Sequence, residues 1–150
     1  MDNETIIVRN AEMKDTERIV MLLNQIKPEN KPPPFDIHKA ENVMSDMLKD
    51  SSYRLKVCEA DGKIVGTATL FIQKNVTHGY RPYGHIENVV TDSAYRGAGI
   101  GKRIMESLIA DAKAMDCYKV ILDCNENISS FYEKVGFRRT KSIEMRLDIA

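Results

Sequence analysis

One short run constrains the fold of this chain more than any other: Arg96-Gly97-Ala98-Gly99-Ile100-Gly101-Lys102. It follows residues 84–91, which are β-branched and apolar and predict a buried strand. From Ile100 to about Met115, apolar side chains repeat at helical spacing. A strand, a glycine-rich turn and a helix start predict an anion site, because glycine admits a close ligand and the first helical N–H groups lack partners.

The spacing of this run excludes two common phosphate loops. In a Walker A loop, Arg96 would replace the first glycine and Arg103 the final hydroxyl residue. In a dinucleotide fingerprint, Lys102 would replace the third glycine. The pattern that fits is Arg/Gln-x-x-Gly-x-Gly/Ala, which resembles the acetyl-CoA pyrophosphate loop of the GNAT superfamily of N-acyltransferases. An ordinary surface turn is the alternative for so short a run.

Composition limits the other function classes. The 150 residues suit one domain, 1–150, and the 22 basic and 22 acidic residues balance, so we expect neither a nucleic-acid partner nor a membrane partner. No stretch predicts a transmembrane helix, and the polar start does not resemble a signal peptide. Cys58, Cys117 and Cys124 form no CxxC pair, which favours reduced thiols and a cytoplasmic location.

The order of the predicted elements is β-α-α-β-β-β-α-β-α-β, an α/β fold with a central mixed sheet flanked by about four helices. Asp61-Gly62 predicts a hairpin, Gly136 a helix end, and the four prolines of residues 27–34 an extended connector. Strands are expected over 6–9, 53–59, 64–73, 84–91 and 118–124, with one or two more within 137–147. Helices are expected from near Asp15, from about Asp36, from the glycine run to about Met115, and within 126–135.

Four further segments make the resemblance narrower. They are Gly84-His85-Ile86-Glu87-Asn88-Val89, Cys117-Tyr118-Lys119-Val120-Ile121-Leu122, Asp123-Cys124-Asn125-Glu126-Asn127 and Phe131-Tyr132-Glu133-Lys134-Val135-Gly136-Phe137. Together they resemble the glucosamine-6-phosphate N-acetyltransferase family within GNAT. The similarity is dense from about residue 84 to residue 137, and upstream only the order and pattern are compatible.

The resemblance implies a GNAT fold and acetyl-CoA as cosubstrate. The backbone of residues 88–90 would polarise the thioester carbonyl as an oxyanion site, and Tyr132 would protonate the leaving sulfur. Glu87 would accept a proton from the amine or hold a sugar hydroxyl, and Asp123 would contact the amine or CoA. The implied acetyl-CoA contacts are Val89, Val90, Thr91, Arg96, Gly97, Ala98, Gly99, Ile100, Gly101, Lys102, Asn127 and Tyr132.

Structural roles are the alternatives for the three catalytic candidates. Tyr132 could be a core aromatic, Glu87 a solvated strand residue, and Asp123 a loop or helix cap. The family usually has Asp where this chain has Asn88, which cannot supply a second carboxylate but leaves a backbone role intact.

The implied acceptor contacts are Asn75, Thr77, His78, Glu87, Asn88, Tyr118, Lys119 and Arg146. Tyr118 and Lys119 match family positions that reach the sugar phosphate from a neighbouring subunit, so the resemblance implies a homodimer with shared sites. A solvated edge charge is the alternative for Lys119. The family's C-terminal strand ends on a phosphate-binding arginine, whereas Arg146 falls two positions early, about 7 Å along a strand.

The sequence therefore predicts an acetyl-CoA-dependent N-acetyltransferase in which the amine attacks directly in a ternary complex. Glucosamine 6-phosphate is the first acceptor to consider. The alternatives are another small amine, such as an amino acid, polyamine or aminoglycoside, and a non-catalytic CoA-binding module. No residue cluster predicts a metal site.

Overall fold

The computed structural model describes residues 5–26 and 34–149. Five strands are present in this part of the chain: β1 (Ile6–Asn10), β2 (Tyr53–Ala60), β3 (Lys63–Gln73), β4 (Tyr83–Thr91) and β5 (Lys119–Ile121). The α-helices are α1 (Thr16–Leu23), α2 (Ile37–Lys49), α3 (Ile100–Ala114) and α4 (Ser129–Lys134). Short 3-10 turns lie at Met13–Asp15, His78–Tyr80, Ser93–Tyr95 and Glu126–Ile128.

The strands form one mixed sheet in the order β1-β2-β3-β4-β5. The pairs from β1 to β4 are antiparallel, and β5 runs parallel to β4. The long helix α3 makes the crossover from β4 to β5, as a parallel pair requires. The predicted mixed sheet with four helices is confirmed.

Local sequence chemistry explains where several elements begin and turn. Asp61 and Gly62 both have positive φ, 49° and 80°, which is the twist that a two-residue hairpin turn needs. The carboxylate of Asp36 accepts hydrogen bonds from the backbone N–H groups of His38 and Lys39 and so caps α2. The predicted hairpin at Asp61-Gly62 and the predicted helix start at about Asp36 are confirmed.

The core lies on the two faces of the sheet. Val57 and Cys58 are adjacent in β2 and fully buried, and they belong to different apolar clusters because neighbouring strand residues point to opposite faces. One cluster packs under α1 and α2, and the other packs under α3. The predicted stripe of α3 is buried, with Ile100, Ile104, Leu108 and Ala112 all at most 2% exposed.

Two sequence predictions for the C-terminal third are wrong. The strand expected over 118–124 ends at Ile121, and residues 137–149 contain no strand, although one or two were expected within 137–147. The alternating sequence pattern is present, since Arg146 separates Met145 from Leu147, but both apolar side chains are 82% exposed. A strand also needs a neighbour for its backbone groups, and none of the described strands lies beside this segment.

The helix expected within 126–135 is divided between the Glu126–Ile128 turn and α4. Most of the proline-rich connector, residues 27–33, lies outside the described residues. Among the helices that the structure describes, none is long and apolar enough to cross a membrane.

Candidate active site

The sheet opens between β4 and β5. The two strands pair only where Tyr83–His85 of β4 faces Lys119–Ile121 of β5. Beyond His85, β4 continues to Thr91 with β3 on one side and no strand of the described chain on the other. The second half of β4 therefore presents free backbone N–H and C=O groups at the opening.

A β-bulge lies in this free half of β4. Glu87 faces Thr69 and Val90 faces Thr67, so β4 holds one residue more than β3 between these two pairs. Asn88 has a left-handed φ of 56°, a conformation that asparagine tolerates better than most residues. The bulge turns the Asn88 backbone out of the ladder at the segment that the resemblance implies for the thioester.

The side chains of this segment divide between core and surface. Glu87 and Asn88 are exposed, whereas Val90 is buried. Val89 and Thr91 are half-buried. Glu87 forms no ion pair with any described residue, so its carboxylate is available to a ligand.

Asp92 fixes the start of the glycine run. Its backbone N–H donates to the Val65 carbonyl (2.8 Å), and its carboxylate accepts from the Ala94 N–H (3.0 Å). The same carboxylate pairs with the Arg18 guanidinium of α1. The hydrogen bond from Ala94, helped by Arg18, lowers the pKa of Asp92, so its charge and this anchoring are kept well into acid conditions.

The glycine run leaves room for a ligand. Gly97 and Gly99 have left-handed φ values of 87° and 77°, and a Cβ at either would meet no atom within 4 Å. Gly99 precedes α3 and has no side chain to cap it, so the first N–H groups of α3 have no side-chain partner. Arg96 and Lys102 are exposed beside them, although Lys102 also lies 3.8 Å from Glu106. These features fit a diphosphate.

Gly101 lies where β4, α3 and α4 meet. A Cβ on Gly101 would lie 3.0 Å from Cζ of Phe131 in α4 and 3.5 Å from Oγ1 of Thr91 in β4. The glycine run, the free edge of β4 and the Tyr132 helix are therefore neighbours. The sequence gives no signal for this contact, because it joins residues thirty positions apart.

Tyr132 is 7% exposed and packs between two aromatic rings. The ring centroid of Phe131 lies 4.9 Å away and that of Phe137 6.2 Å away, both edge-on. Burial raises the pKa of Tyr132, and the nearby Cys124 thiol adds to the shift. The phenol is therefore held in its protonated form.

The end of α4 keeps Tyr132 and Phe137 together. The Phe137 N–H donates to the Tyr132 carbonyl and the Gly136 N–H to the Glu133 carbonyl, a Schellman motif in which Gly136 has a φ of 108°. The predicted helix end at Gly136 is confirmed.

A second group of predicted residues gathers around Tyr83. Asn75 donates to the Thr77 hydroxyl (2.8 Å), which lies 3.4 Å from the Tyr83 hydroxyl. The His78 ring stacks on Tyr118 at 3.9 Å and 11°. The predicted loop residues therefore lie close to Tyr118, which directly precedes β5.

Two residues of this group were not predicted from the sequence. Tyr83 faces Lys119 across the β4–β5 pair, and Lys119 Nζ lies 4.4 Å from the Tyr83 ring centroid. Arg81 donates to the carbonyls of Asp116 and Cys117 and thereby ties the loop to the segment between α3 and β5. The period-two pattern could have identified Tyr83, because it shares a strand face with His85 and Glu87.

The remaining predicted residues are not brought into either group by contacts. Arg146 is 76% exposed and pairs with Asp148. Asp123 and Asn127 are exposed in the segment between β5 and α4, and Ala98 is exposed in the glycine run. In residues 5–26 and 34–149, no three His, Cys, Asp or Glu side chains are placed to hold a metal ion.

Comparisons with known proteins agree with this architecture. Residues 16–137 match the Acetyltransferase (GNAT) family. The glucosamine 6-phosphate N-acetyltransferase of Trypanosoma brucei brucei is 44% identical over 119 residues, 78% of this chain and 80% of that protein. That of Arabidopsis thaliana is 46% identical over 87 residues, 58% of each chain.

Solved structures give the same result. The crystal structure of the Arabidopsis thaliana glucosamine-6-phosphate N-acetyltransferase aligns with a TM-score of 0.88 at 33% identity, covering 98% of this chain and 100% of that one. A Trypanosoma brucei acetyltransferase aligns with a TM-score of 0.85 at 39% identity, covering 97% and 100%. The matched residues include the glycine run, the free edge of β4 and the Tyr132 helix. The chain is therefore an acetyltransferase that belongs to the GNAT family.

Proposed function

We propose that the chain transfers the acetyl group of acetyl-CoA to the amine of glucosamine 6-phosphate. The observation that carries the proposal is the free, bulged edge of β4 beside the uncapped start of α3 and the helix that holds the buried Tyr132. The choice of acceptor is supported by relatives named for that sugar phosphate, which cover most of this chain.

In this proposal the glycine run and the edge of β4 hold acetyl-CoA. The N–H groups of Gly99, Ile100 and Gly101, with Arg96 and Lys102, bind the pyrophosphate. The backbone of Val89, Val90 and Thr91 pairs with the pantetheine amides as an added strand would. The open space in front of Gly97 and Gly99 supports this assignment.

The bulge supplies the electrostatic part of the reaction. An N–H of residues 88–90 donates to the thioester oxygen while the neutral amine attacks the carbonyl carbon. The carbon–sulfur bond then breaks, and the Tyr132 hydroxyl donates its proton to the leaving sulfur. Glu87 accepts the proton that the amine must lose, directly or through water, and Asp123 orients the amine.

The group around Tyr83 would hold the sugar phosphate. Lys119 and His78 provide cationic or hydrogen-bonding groups, and Asn75, Thr77 and Tyr118 provide further polar contacts. Asn88 is the remaining acceptor contact of the proposal. Since loop and strand already touch here, a phosphate would find several partners within one small region.

We further propose that the enzyme is a homodimer, as the resemblance implies. Residues 143–149 alternate apolar and polar side chains, and Ile143, Met145, Leu147 and Ile149 are all at least 78% exposed. A second copy of the chain could cover this row. The same contact could place Tyr118 and Lys119 of one subunit beside the active site of the other. A cytoplasmic location completes the proposal, in agreement with three free cysteines.

Arg146 supports a second candidate, acetylation of a different small amine. It pairs with Asp148 and contacts none of the other predicted acceptor residues. If it does not reach the phosphate, the acceptor need not carry one.

The test measures CoA-thiol release from acetyl-CoA with glucosamine 6-phosphate, glucosamine and glucosamine 1-phosphate in parallel. A strong preference for the 6-phosphate supports the proposal. Equal rates with all three would favour a different amine. Thermal stabilisation by acetyl-CoA with no release on any amine would favour a non-catalytic CoA-binding module.

A further inference from the structure

Within the glycine run, the exposed residues Gly97 and Gly99 have a different role from Gly101. Gly97 and Gly99 have left-handed φ and face open space, so a ligand and the backbone conformation both require glycine there. Gly101 lies inside α3 without such a φ, and any helical residue could adopt its backbone. The space beside Gly101 is limited by a neighbouring side chain instead.

That neighbour is the ring of Phe131. A Cβ on Gly101 would lie 3.0 Å from Cζ and 3.4 Å from Cε2 of this ring, closer than carbon atoms normally pack. Phe131 is half-buried and occupies the space of the missing side chain. The first turn of α3 and the ring therefore fix each other's position.

The same ring also packs against Tyr132. Its centroid lies 4.9 Å from that of Tyr132 at 73°, and Phe137 supports the other side at 6.2 Å. The Tyr132 hydroxyl has no hydrogen-bond partner among the described residues. The orientation of the phenol therefore depends on the packing of rings, and α4 is too short, at six residues, to fix it alone.

We propose that Phe131 is a positioning residue that sets the distance between the first turn of α3 and the Tyr132 phenol, and that Gly101 is glycine to admit it. This inference rests on the proposed function, because it assumes that the diphosphate lies at α3 and that the phenol acts on the sulfur. The diphosphate and the thioester sulfur of one acetyl-CoA would then be held at a fixed separation.

The first test is Gly101→Ala. The added methyl displaces Phe131 and with it the phenol, so kcat should fall roughly 10-fold, because small misplacements of a catalytic group are costly. The dissociation constant of acetyl-CoA, measured by calorimetry, should change less than about threefold, since the methyl points at α4 rather than into the ligand space. A kcat equal to that of the parent would overturn the inference.

The second test is rescue. The double variant Gly101→Ala/Phe131→Leu removes the ring that the methyl meets, so its kcat should recover several-fold over Gly101→Ala alone. A structural role without coupling would make the two changes additive, and a double variant slower than either single one would overturn the inference. If Gly101→Ala does not fold, Phe131→Leu alone should lower kcat at constant acetyl-CoA affinity, and an unchanged kcat would overturn the inference.

Gly62→Ala is the matched control. This hairpin glycine has a φ of 80° and nothing within 4 Å, so the change strains the backbone without touching α4. It should lower the melting temperature and leave kcat unchanged. Tyr132→Phe separates the two proposals, because full kcat in that variant would contradict the acid role of Tyr132. The coupling between Gly101 and Tyr132 has its own measurement, a shift of the labelled Tyr132 ring signal by NMR in Gly101→Ala.

Discussion

The two sides of β4 differ in how much of the strand they cover. On the β3 side, antiparallel pairing continues from Tyr83 to Thr91, interrupted only by the bulge. On the β5 side, pairing stops at His85 of β4, and most of the residues that follow β5 in the sequence are exposed. On the β3 side, the backbone groups of β4 are paired within the folded chain. On the β5 side, backbone groups remain unpaired and apolar side chains remain exposed, and a ligand and a second chain could cover them. Changes on the β5 side should therefore alter binding and turnover more than they alter folding.

The largest effect is expected from Gly99→Glu. The carboxylate would enter the space in front of the α3 N-terminus and repel the pyrophosphate by about 3 kcal/mol, which corresponds to roughly 100-fold weaker acetyl-CoA binding. Calorimetric titration with acetyl-CoA measures this loss of affinity. Gly99→Ala, which keeps the backbone strain without the charge, is the control and should bind more tightly than Gly99→Glu. Unchanged affinity in Gly99→Glu would remove the glycine run from the site.

Tyr132→Phe should lower turnover and leave acetyl-CoA binding almost unchanged. Loss of a general acid lowers kcat by roughly 100-fold, while the acetyl-CoA dissociation constant should stay within about threefold. Steady-state kinetics and calorimetry separate the two quantities. Phe137→Leu keeps the phenol and loosens its packing, so it should retain more activity than Tyr132→Phe. A fully active Tyr132→Phe would assign Tyr132 to the core alone.

The double change Met145→Asp/Leu147→Asp tests whether a second chain completes the β5 side. Two charges on the exposed apolar row should prevent association, so sedimentation should give a mass near 17.0 kDa where the parent gives twice that value. Glu144→Ala, on the polar side of the alternation, is the control and should leave the mass unchanged. A monomeric parent would contradict the dimer.

Lys119→Ala tests the group around Tyr83. Removing one charged partner of a phosphate should raise the KM for glucosamine 6-phosphate roughly 10-fold and leave the KM for glucosamine unaltered. Equal changes for both sugars would mean that Lys119 stabilises the β4–β5 pair rather than a phosphate. Lys113→Ala on the exposed surface of α3 provides the control.

The smallest effect concerns pH. Because burial raises the pKa of Tyr132, the phenol keeps its proton beyond the ordinary value of about 10, and Tyr132 should cause no loss of kcat between about pH 7 and pH 9. A pH profile of kcat measures this. An alkaline loss within that range that is absent from Tyr132→Phe would contradict the expected sign.

Features that depend on neighbouring residues could be predicted from the sequence. The helix start near Asp36, the Asp61-Gly62 turn and the Gly136 helix end each need only the chemistry of a few adjacent residues. The glycine run belongs to the same class, because its strand and helix flank it directly. These local signals were sufficient for the order of the elements and for the strand, turn and helix start around the glycine run.

Features that depend on distant residues could not be predicted in this way. The length of β5 depends on where it diverges from β4, and the alternating pattern of residues 143–149 does not say which strand lies beside it. The contact between Gly101 and Phe131 and the position of Tyr83 over Lys119 both require the three-dimensional register. Sequence similarity made Tyr132 a catalytic candidate, but only the structure shows that Phe131 and Phe137 pack against its ring.

The bulged edge of β4 also has an evolutionary consequence. A side-chain donor can be lost by any of many substitutions, whereas the N–H of residue 89 or 90 can be removed only by proline. The groups proposed to face the thioester are thus protected against genetic drift, while the side chains of Tyr83 and His85 on the same strand can be replaced without removing those groups. A scaffold built in this way can acquire new acceptors through side-chain replacement and retain its acyl-transfer chemistry throughout.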